Sequence, residues 1–290
     1  MRGPDTGARA VVRELLPPAR AGHACEGEVC RAASVSDVVV GAVLRAAREQ
    51  AGISVARAAA CAGLREARIT RLEAAQTAWS AEQAITLARL YRMPDAQVEE
   101  LRQLLVPRHH HVLPDLGAQV GPRLAALESR AVSIRVAART LPLFFYGWGA
   151  DGTYLTDCPD AGLAAVRPRP WPGCPVTLLW DELTLEYGYI DAPRTAARLR
   201  HLAGMVESGA LAFRVLVPDF HQSFEPVGSE LTLDDITSVC VSEELFLVTY
   251  SNGPRAREKS DLLDRQLAAA LDPEESLAAL RRAAERWDRA

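Results

Sequence analysis

A chain of 290 residues exceeds what one core comfortably fills, so two folded parts are expected. Its 49% hydrophobic and 24% charged residues are those of a globular protein. No apolar run approaches the ~20 residues that cross a bilayer. Arg13, Glu14 and Arg20 interrupt any signal-peptide core, so a cytoplasmic, reduced chain is expected. The net charge of −4 excludes a general polyanion coat. Charge is unevenly spread, however. Between Ser34 and Met93, Arg45, Arg48, Arg57, Arg65, Arg68, Arg71, Arg89 and Arg92 outnumber Asp37, Glu49, Glu66, Glu73 and Glu82, a basic module on an acidic remainder.

In chain order, residues 1–34 are rich in Gly, Pro, Ala and Arg and read as a flexible tail with one short helix near Ala10–Leu16. Asp37 is positioned to cap a first helix, where Val38, Val39, Ala42, Val43 and Ala46 recur at helical spacing before Gly52. Ser54 caps a short second helix, Val55–Ala62, which Gly63 ends. A third runs from about Arg65 to Ala74. A fourth starts at Ser80 and stops before Pro94, and a fifth, Ala96–Leu105, is amphipathic. Residues 35–106 thus read as an all-α five-helix domain. Pro107–Pro122, with His109–His111, three prolines and two glycines, reads as a linker.

Residues 123–290 change character to α+β. Arg123–Ala138 reads as a helix. Pro142–Tyr146, Val176–Trp180, Thr184–Tyr189, Leu211–Val217, Leu231–Leu233 and Leu245–Tyr250 read as strands. Pro193–Ser208, Arg255–Ala270 and Pro273–Ala290 read as helices, the last opened by Asp272-Pro273 and Glu274-Glu275. The six cysteines, Cys25, Cys30, Cys61, Cys158, Cys174 and Cys240, are scattered, as reduced and mostly buried thiols would be.

The second and third helices carry the clearest chemical signal. Two helices crossing at ~100° through a short turn need a small residue at their contact, here Ala59, and a glycine for positive φ, here Gly63. Ile69 and Leu72 point inward, leaving Glu66, Ala67, Thr70 and Arg71 on an open face suited to the major groove of duplex DNA. This run resembles the Xre, or lambda-repressor-like, helix-turn-helix family, whose five-helix domain covers about Val38–Leu105. The resemblance implies that Glu66, Ala67 and Arg71 face bases, Arg71 toward guanine and Glu66 toward cytosine. Arg65, Arg68 and the Ser54 helix start would then sit on phosphates. Arg71-Leu72-Glu73 matches a family pattern in which the glutamate is structural. Two departures stand out: Arg65 where the family caps the recognition helix with Ser or Thr, and Ala75 where it favours glycine.

Leu178-Leu-Trp-Asp-Glu-Leu-Thr-Leu, Arg198-Leu-Arg-His-Leu, Phe213-Arg-Val-Leu-Val-Pro and Ala270-Leu-Asp-Pro-Glu-Glu-Ser together resemble the effector-like domain of actinobacterial antitoxin-type regulators, including the WhiJ-like proteins. That resemblance implies transcriptional control alongside a small partner protein. It carries no ligand or active site. Pro142-Leu-Phe-Phe-Tyr-Gly-Trp-Gly replaces the family's Pro-Gly-Leu-Leu region.

Other motifs weigh less. Gly147-Trp-Gly-Ala-Asp-Gly152 spells a dinucleotide-binding pattern, but Thr153-Tyr-Leu-Thr after it is strand-like, so it reads as a turn. His23, Cys25, Cys30 and His109–His111 lack the spacing of a closed zinc site. Asp181-Glu182 and Glu243-Glu244 are neighbours on strands and face opposite sides, and His201 reads as a helix-surface residue. Trp171, Trp180, Phe213 and Phe220 read as core rather than a cavity lining. The expectation is a non-enzymatic regulator without cofactor or metal, a homodimer on double-stranded DNA. The alternatives are an antitoxin-like factor sequestering a small protein, or a small-molecule sensor.

Overall fold

The structure, a computed structural model, describes residues 33–106, 111–116, 119–137, 171–186, 192–217, 224–233, 237–243 and 247–290. The expected helix at Ala10–Leu16, the strand Pro142–Tyr146, the Gly147–Gly152 run and His109–His110 lie outside these residues.

A helical head comes first: α1 (Val35–Gln50), α2 (Val55–Ala62), α3 (Glu66–Glu73), α4 (Ala81–Leu90) and α5 (Asp95–Leu105). Ser34, not Asp37, caps α1. Its hydroxyl accepts from the Asp37 amide (3.2 Å), while the Asp37 carboxylate accepts from the Ser34 amide and hydroxyl (2.8 and 2.6 Å). This is a capping box with Asp37 at its third position. The other Asp37 oxygen accepts from the Trp79 amide at 2.8 Å, so one buried carboxylate both starts α1 and fixes the loop before α4. Ser54 and Ser80 cap α2 and α4 as their positions suggest.

A seven-stranded mixed sheet follows, built from β1 (Val112–Asp115), β2 (Ala131–Ala137), β3 (Val176–Asp181), β4 (Ala212–Leu216), β5 (Gly228–Leu233), β6 (Thr237–Glu243) and β7 (Val248–Ser251) in the order β1-β7-β6-β5-β2-β3-β4. β2, β3 and β4 are parallel, and the remaining pairs are antiparallel. The helices of this half are α6 (Val120–Glu128), α7 (Glu182–Glu186), α8 (Ala192–Glu207), α9 (Gly253–Ala269) and α10 (Pro273–Asp288). The chain is therefore an all-α head followed by an α+β body.

Two expected elements are corrected. The helix read over Arg123–Ala138 stops at Glu128, and residues 131–137 form a central strand. Ile134 and Val136 alternate into the core there, where β-branched side chains pack well. Of the strand read over Thr184–Tyr189, residues 184–186 belong instead to α7, because the Asp181 carboxylate accepts from the Thr184 amide (2.9 Å) and hydroxyl and turns the chain into a helix, and residues 187–189 lie outside the described residues. The stretch read as a linker contributes β1 and the start of α6 to the body.

Both sheet faces are covered. Leu178, Trp180, Phe213, Val215 and Leu231 share a core with Leu124 and Leu127 of α6, Leu199 of α8 and Leu280 of α10, continuous with the core of the head. Trp180 and Phe213 meet edge to face, with centroids 6.0 Å apart. Leu179 and Leu216 turn the other way, to Leu263 of α9. The β4 edge is closed: the Ser276 hydroxyl accepts from the Val215 amide (3.1 Å) and the Leu271 amide donates to the Val215 carbonyl (2.8 Å). At the opposite edge, the Asn252 amide donates to the His111 carbonyl (3.1 Å), a register that turns Leu113 and Asp115 toward β7 and Pro114 outward. A proline there denies an incoming strand its donor.

Head and body are fastened by buried polar groups. Arg123 of α6, 3% exposed, donates through Nε and Nη2 to Asp115 (2.7 and 2.6 Å) and through Nη1 to Glu100 of α5 (2.6 Å). The Tyr250 hydroxyl donates to Asp115 at 3.2 Å. Burial, with Asp115 beside it, holds the Tyr250 phenol well above its ordinary range. Gln97 Nε2 donates to Gln119 Oε1 (3.0 Å).

Candidate nucleic-acid interface

Four helices of the head end alike. After α1, α2, α3 and α4, the residues Gly52, Gly63, Ala75 and Arg92 adopt positive φ of 65°, 63°, 54° and 59°. Each time, the next amide reaches back to the carbonyl five residues before it: Ile53 to Arg48, Leu64 to Ala59, Gln76 to Arg71, Met93 to Ala88. The two glycines take this conformation freely, whereas Ala75 and Arg92 take it against a cost of about 1–2 kcal/mol. Ala75 thus occupies the left-handed position the sequence lacked a glycine for.

The Gly63 turn swings α3 away from α2. On α3, Ile69 and Leu72 are fully buried, while Glu66, Ala67 and Thr70 are exposed, and Arg68 and Arg71 are half-buried beside them. Arg65 is exposed and extended at the start of α3 and gives no side-chain cap. The helix begins without that stabilisation, worth about 1 kcal/mol. Ser54 Oγ accepts from the Arg57 amide at 3.2 Å. Two side chains of the exposed face lie along their own helix: Thr70 Oγ1 donates to the Glu66 carbonyl (3.2 Å), and Arg71 Nε to that of Ala67 (3.3 Å).

The far end of α3 is gripped from below. Glu73, 4% exposed, takes a two-pronged bond from Arg48 of α1, with Nε at 2.7 Å and Nη2 at 2.9 Å. That bond chiefly raises the guanidinium's affinity for its proton, against the pull of burial. Arg48 Nη1 also donates to the Ile53 carbonyl (3.1 Å), closing the α1–α2 turn. The crossing of α1 and α3 is so close that a Cβ on Gly41 would lie 2.9 Å from the carbonyl oxygens of Leu72 and Glu73. Burial and then Glu73 push the Tyr91 phenol upward.

The sequence-level basic module is thereby reapportioned. Arg48 is spent on Glu73 inside the head, whereas Arg45 stays at the surface, paired with Glu49 (3.0 Å). Arg57 and Arg65 remain exposed there with Arg68 and Arg71 beside them. One residue that sequence reasoning missed is Arg130, in the turn between α6 and β2, whose Nη1 donates to the Glu73 carbonyl at 2.7 Å. No local spacing pattern flags it.

Elsewhere the candidate groups do not converge. Among the described residues no group of His, Cys, Asp and Glu could hold a metal ion. His111 is exposed beside Gly253, and His201 is half-exposed on α8. Asp181 is buried as the α7 start, and Glu182 is exposed. Among the described cysteines, Cys240 is buried, Cys174 half-buried and Cys61 exposed, the last against the expectation of burial. No described helix is long and apolar enough to cross a membrane.

Residues 39–101 match the family model of a helix-turn-helix domain, a span running from α1 through most of α5. No curated protein matches the chain.

Proposed function

We propose that this chain is a sequence-specific DNA-binding transcriptional regulator of the Xre type that reads the major groove with α3. The carrying observation is the division of α3 within a matched helix-turn-helix domain: Ile69, Leu72 and Glu73 buried, Glu66, Ala67 and Thr70 open to solvent. In this reading Glu66, Ala67, Thr70 and Arg71 face base edges, and Arg65, Arg68 and Ser54 lie along phosphates. Arg71 must leave the Ala67 carbonyl to reach a guanine, exchanging one hydrogen bond for a bidentate pair. Residues 35–106 form the reading module, the body from β1 onward forms the effector part, and a homodimer places two copies of α3 on half-sites ~34 Å apart. The chain acts in the cytoplasm without catalysis.

Selection of bound duplexes from a random pool, then anisotropy titration of the full chain, tests this. Arg71→Ala should weaken the selected site by about 1–3 kcal/mol and relax preference at one base pair. Arg65→Ala or Arg68→Ala should weaken all duplexes alike and lower the salt slope by about one. Equal binding by wild type and Arg71→Ala at ~150 mM salt removes the base contact, and no enrichment at all removes the reading.

A further inference from the structure

The C-terminal end of α3 shows how the body reaches the reading helix. Its closing motif consumes the carbonyls in order: the Ala74 amide takes that of Thr70 (2.9 Å), the Gln76 amide that of Arg71 (2.8 Å), and the Ala75 amide that of Leu72 (3.0 Å). The Glu73 carbonyl comes next, and the closing amides do not reach it. It faces Gly41 at a distance that would not admit even a methyl group, so the helix end is pressed against α1. A carbonyl in such a place needs a donor from the protein. Arg130 supplies it at 2.7 Å, with the residue 8% exposed. A guanidinium at this position also meets the negative end of the α3 dipole.

Arg130 belongs to no part of the matched domain, which ends at residue 101. It directly precedes β2, which pairs with β3 on one side and β5 on the other at the centre of the sheet. The helix preceding it, α6, packs on α1. Its donor is therefore held by the body's framework, while its acceptor is the last helical residue of α3.

We propose that Arg130 is a positioning residue for DNA recognition: the body sets the angle of α3 through the Arg130–Glu73 carbonyl bond, so affinity for DNA depends on a residue that touches none. This rests on the DNA-binding reading above. Arg130→Met removes the donor at similar length, Arg130→Gln shortens the side chain but keeps it polar, and Arg130→Lys keeps a positive donor.

The test uses full-length protein and the duplex selected with wild type. Arg130→Met and Arg130→Gln should bind about tenfold more weakly or worse, with an unchanged salt slope, since no phosphate contact is lost. Arg130→Lys should recover most of the affinity. Independently of DNA, hydrogen exchange at the Ala74, Ala75 and Gln76 amides should quicken in the first two variants and stay near wild type in the third. If Arg130→Met does not fold, Arg130→Gln and the exchange data decide. Wild-type affinity in Arg130→Gln overturns the proposal, as does a salt slope reduced by about one, which would mean direct phosphate contact. Loss of melting temperature without loss of affinity overturns it too. If wild type binds no DNA, the DNA-binding reading and the positioning role fall together, yet the exchange pattern still reports whether Arg130 holds α3.

Discussion

Replacing Asp115 by asparagine removes one charge from a site where the side chains of Asp115 and Arg123 are only 3% and 4% exposed. The guanidinium keeps Glu100, whose side chain is 23% exposed, but loses its two-pronged partner, and the Tyr250 hydroxyl loses a charged acceptor. Removing one member of a buried pair costs about 3–5 kcal/mol, and the surviving Glu100 contact places the expectation at the low end, about 3 kcal/mol. For a body of this size that is roughly 6–12 °C in melting temperature. Urea and thermal unfolding of wild type, Asp115→Asn, Arg123→Met and the double variant complete the cycle. The double variant should be more stable than the summed single losses by at least about 1.5 kcal/mol, because it leaves neither Asp115 nor Arg123 as a buried unpaired charge, and the loss of the Glu100 contact is common to Arg123→Met and the double variant. An Asp115→Asn chain within 0.5 kcal/mol of wild type, at unchanged m, would refute the claim that this network fastens the head to the body.

Two helical glycines should respond oppositely to alanine. Gly41→Ala meets backbone oxygens at 2.9 Å, and a packing cost of about 1–3 kcal/mol outweighs the gain in helix propensity; Gly204→Ala on α8 has nothing within 4 Å and should stabilise by about 0.5–1 kcal/mol, both read by urea unfolding. Arg92→Gly relieves a left-handed backbone at an exposed site and should raise stability by about 0.5–1 kcal/mol in the same assay; a loss would contradict the strain assigned there. Burial pushes the Cys240 thiol up to about 12. The folded chain therefore keeps a proton that the unfolded chain releases near pH 9, so stability should fall between pH 9 and pH 12 by up to about 1.4 kcal/mol per pH unit from this group. Cys240→Ala should flatten that slope, and an unchanged slope would show that the thiol does not contribute.

The head was legible in the sequence because its signals are local. Ser54, Gly63 and Ser80 act within a few residues of themselves, and Ile69 and Leu72 lie at helical spacing on one short segment. The body was less so. Residues 131–137 follow a helix after a two-residue turn, and their apolar content continues the helical pattern until alternation of Ile134 and Val136 is tested against it. At 184–186 a single carboxylate outside the segment, Asp181, decides between strand and helix. β6 went unread although Val239 and Val241 alternate inward as a strand's core face does. In the interface, the exposed residues of α3 follow from its period. Which arginines are spent inside does not, since Arg48 meets Glu73 across 25 residues and Arg130 meets it across 57.

The edge strand that lies between head and body has a consequence for synthesis. Tyr250 and Asp115 are 135 residues apart in the chain. At roughly 5–20 residues per second, a ribosome delivers the head and β1 some 7–27 s before it delivers β7. During that interval the five helices can close on their own caps and Arg130 can arrive at Glu73, but Asp115 and Arg123 have no Tyr250 and β1 has no sheet to join. The helices of the head can thus assemble first and be framed last, and Pro114 spends that wait as part of a lone strand ill-suited to pair with a stranger.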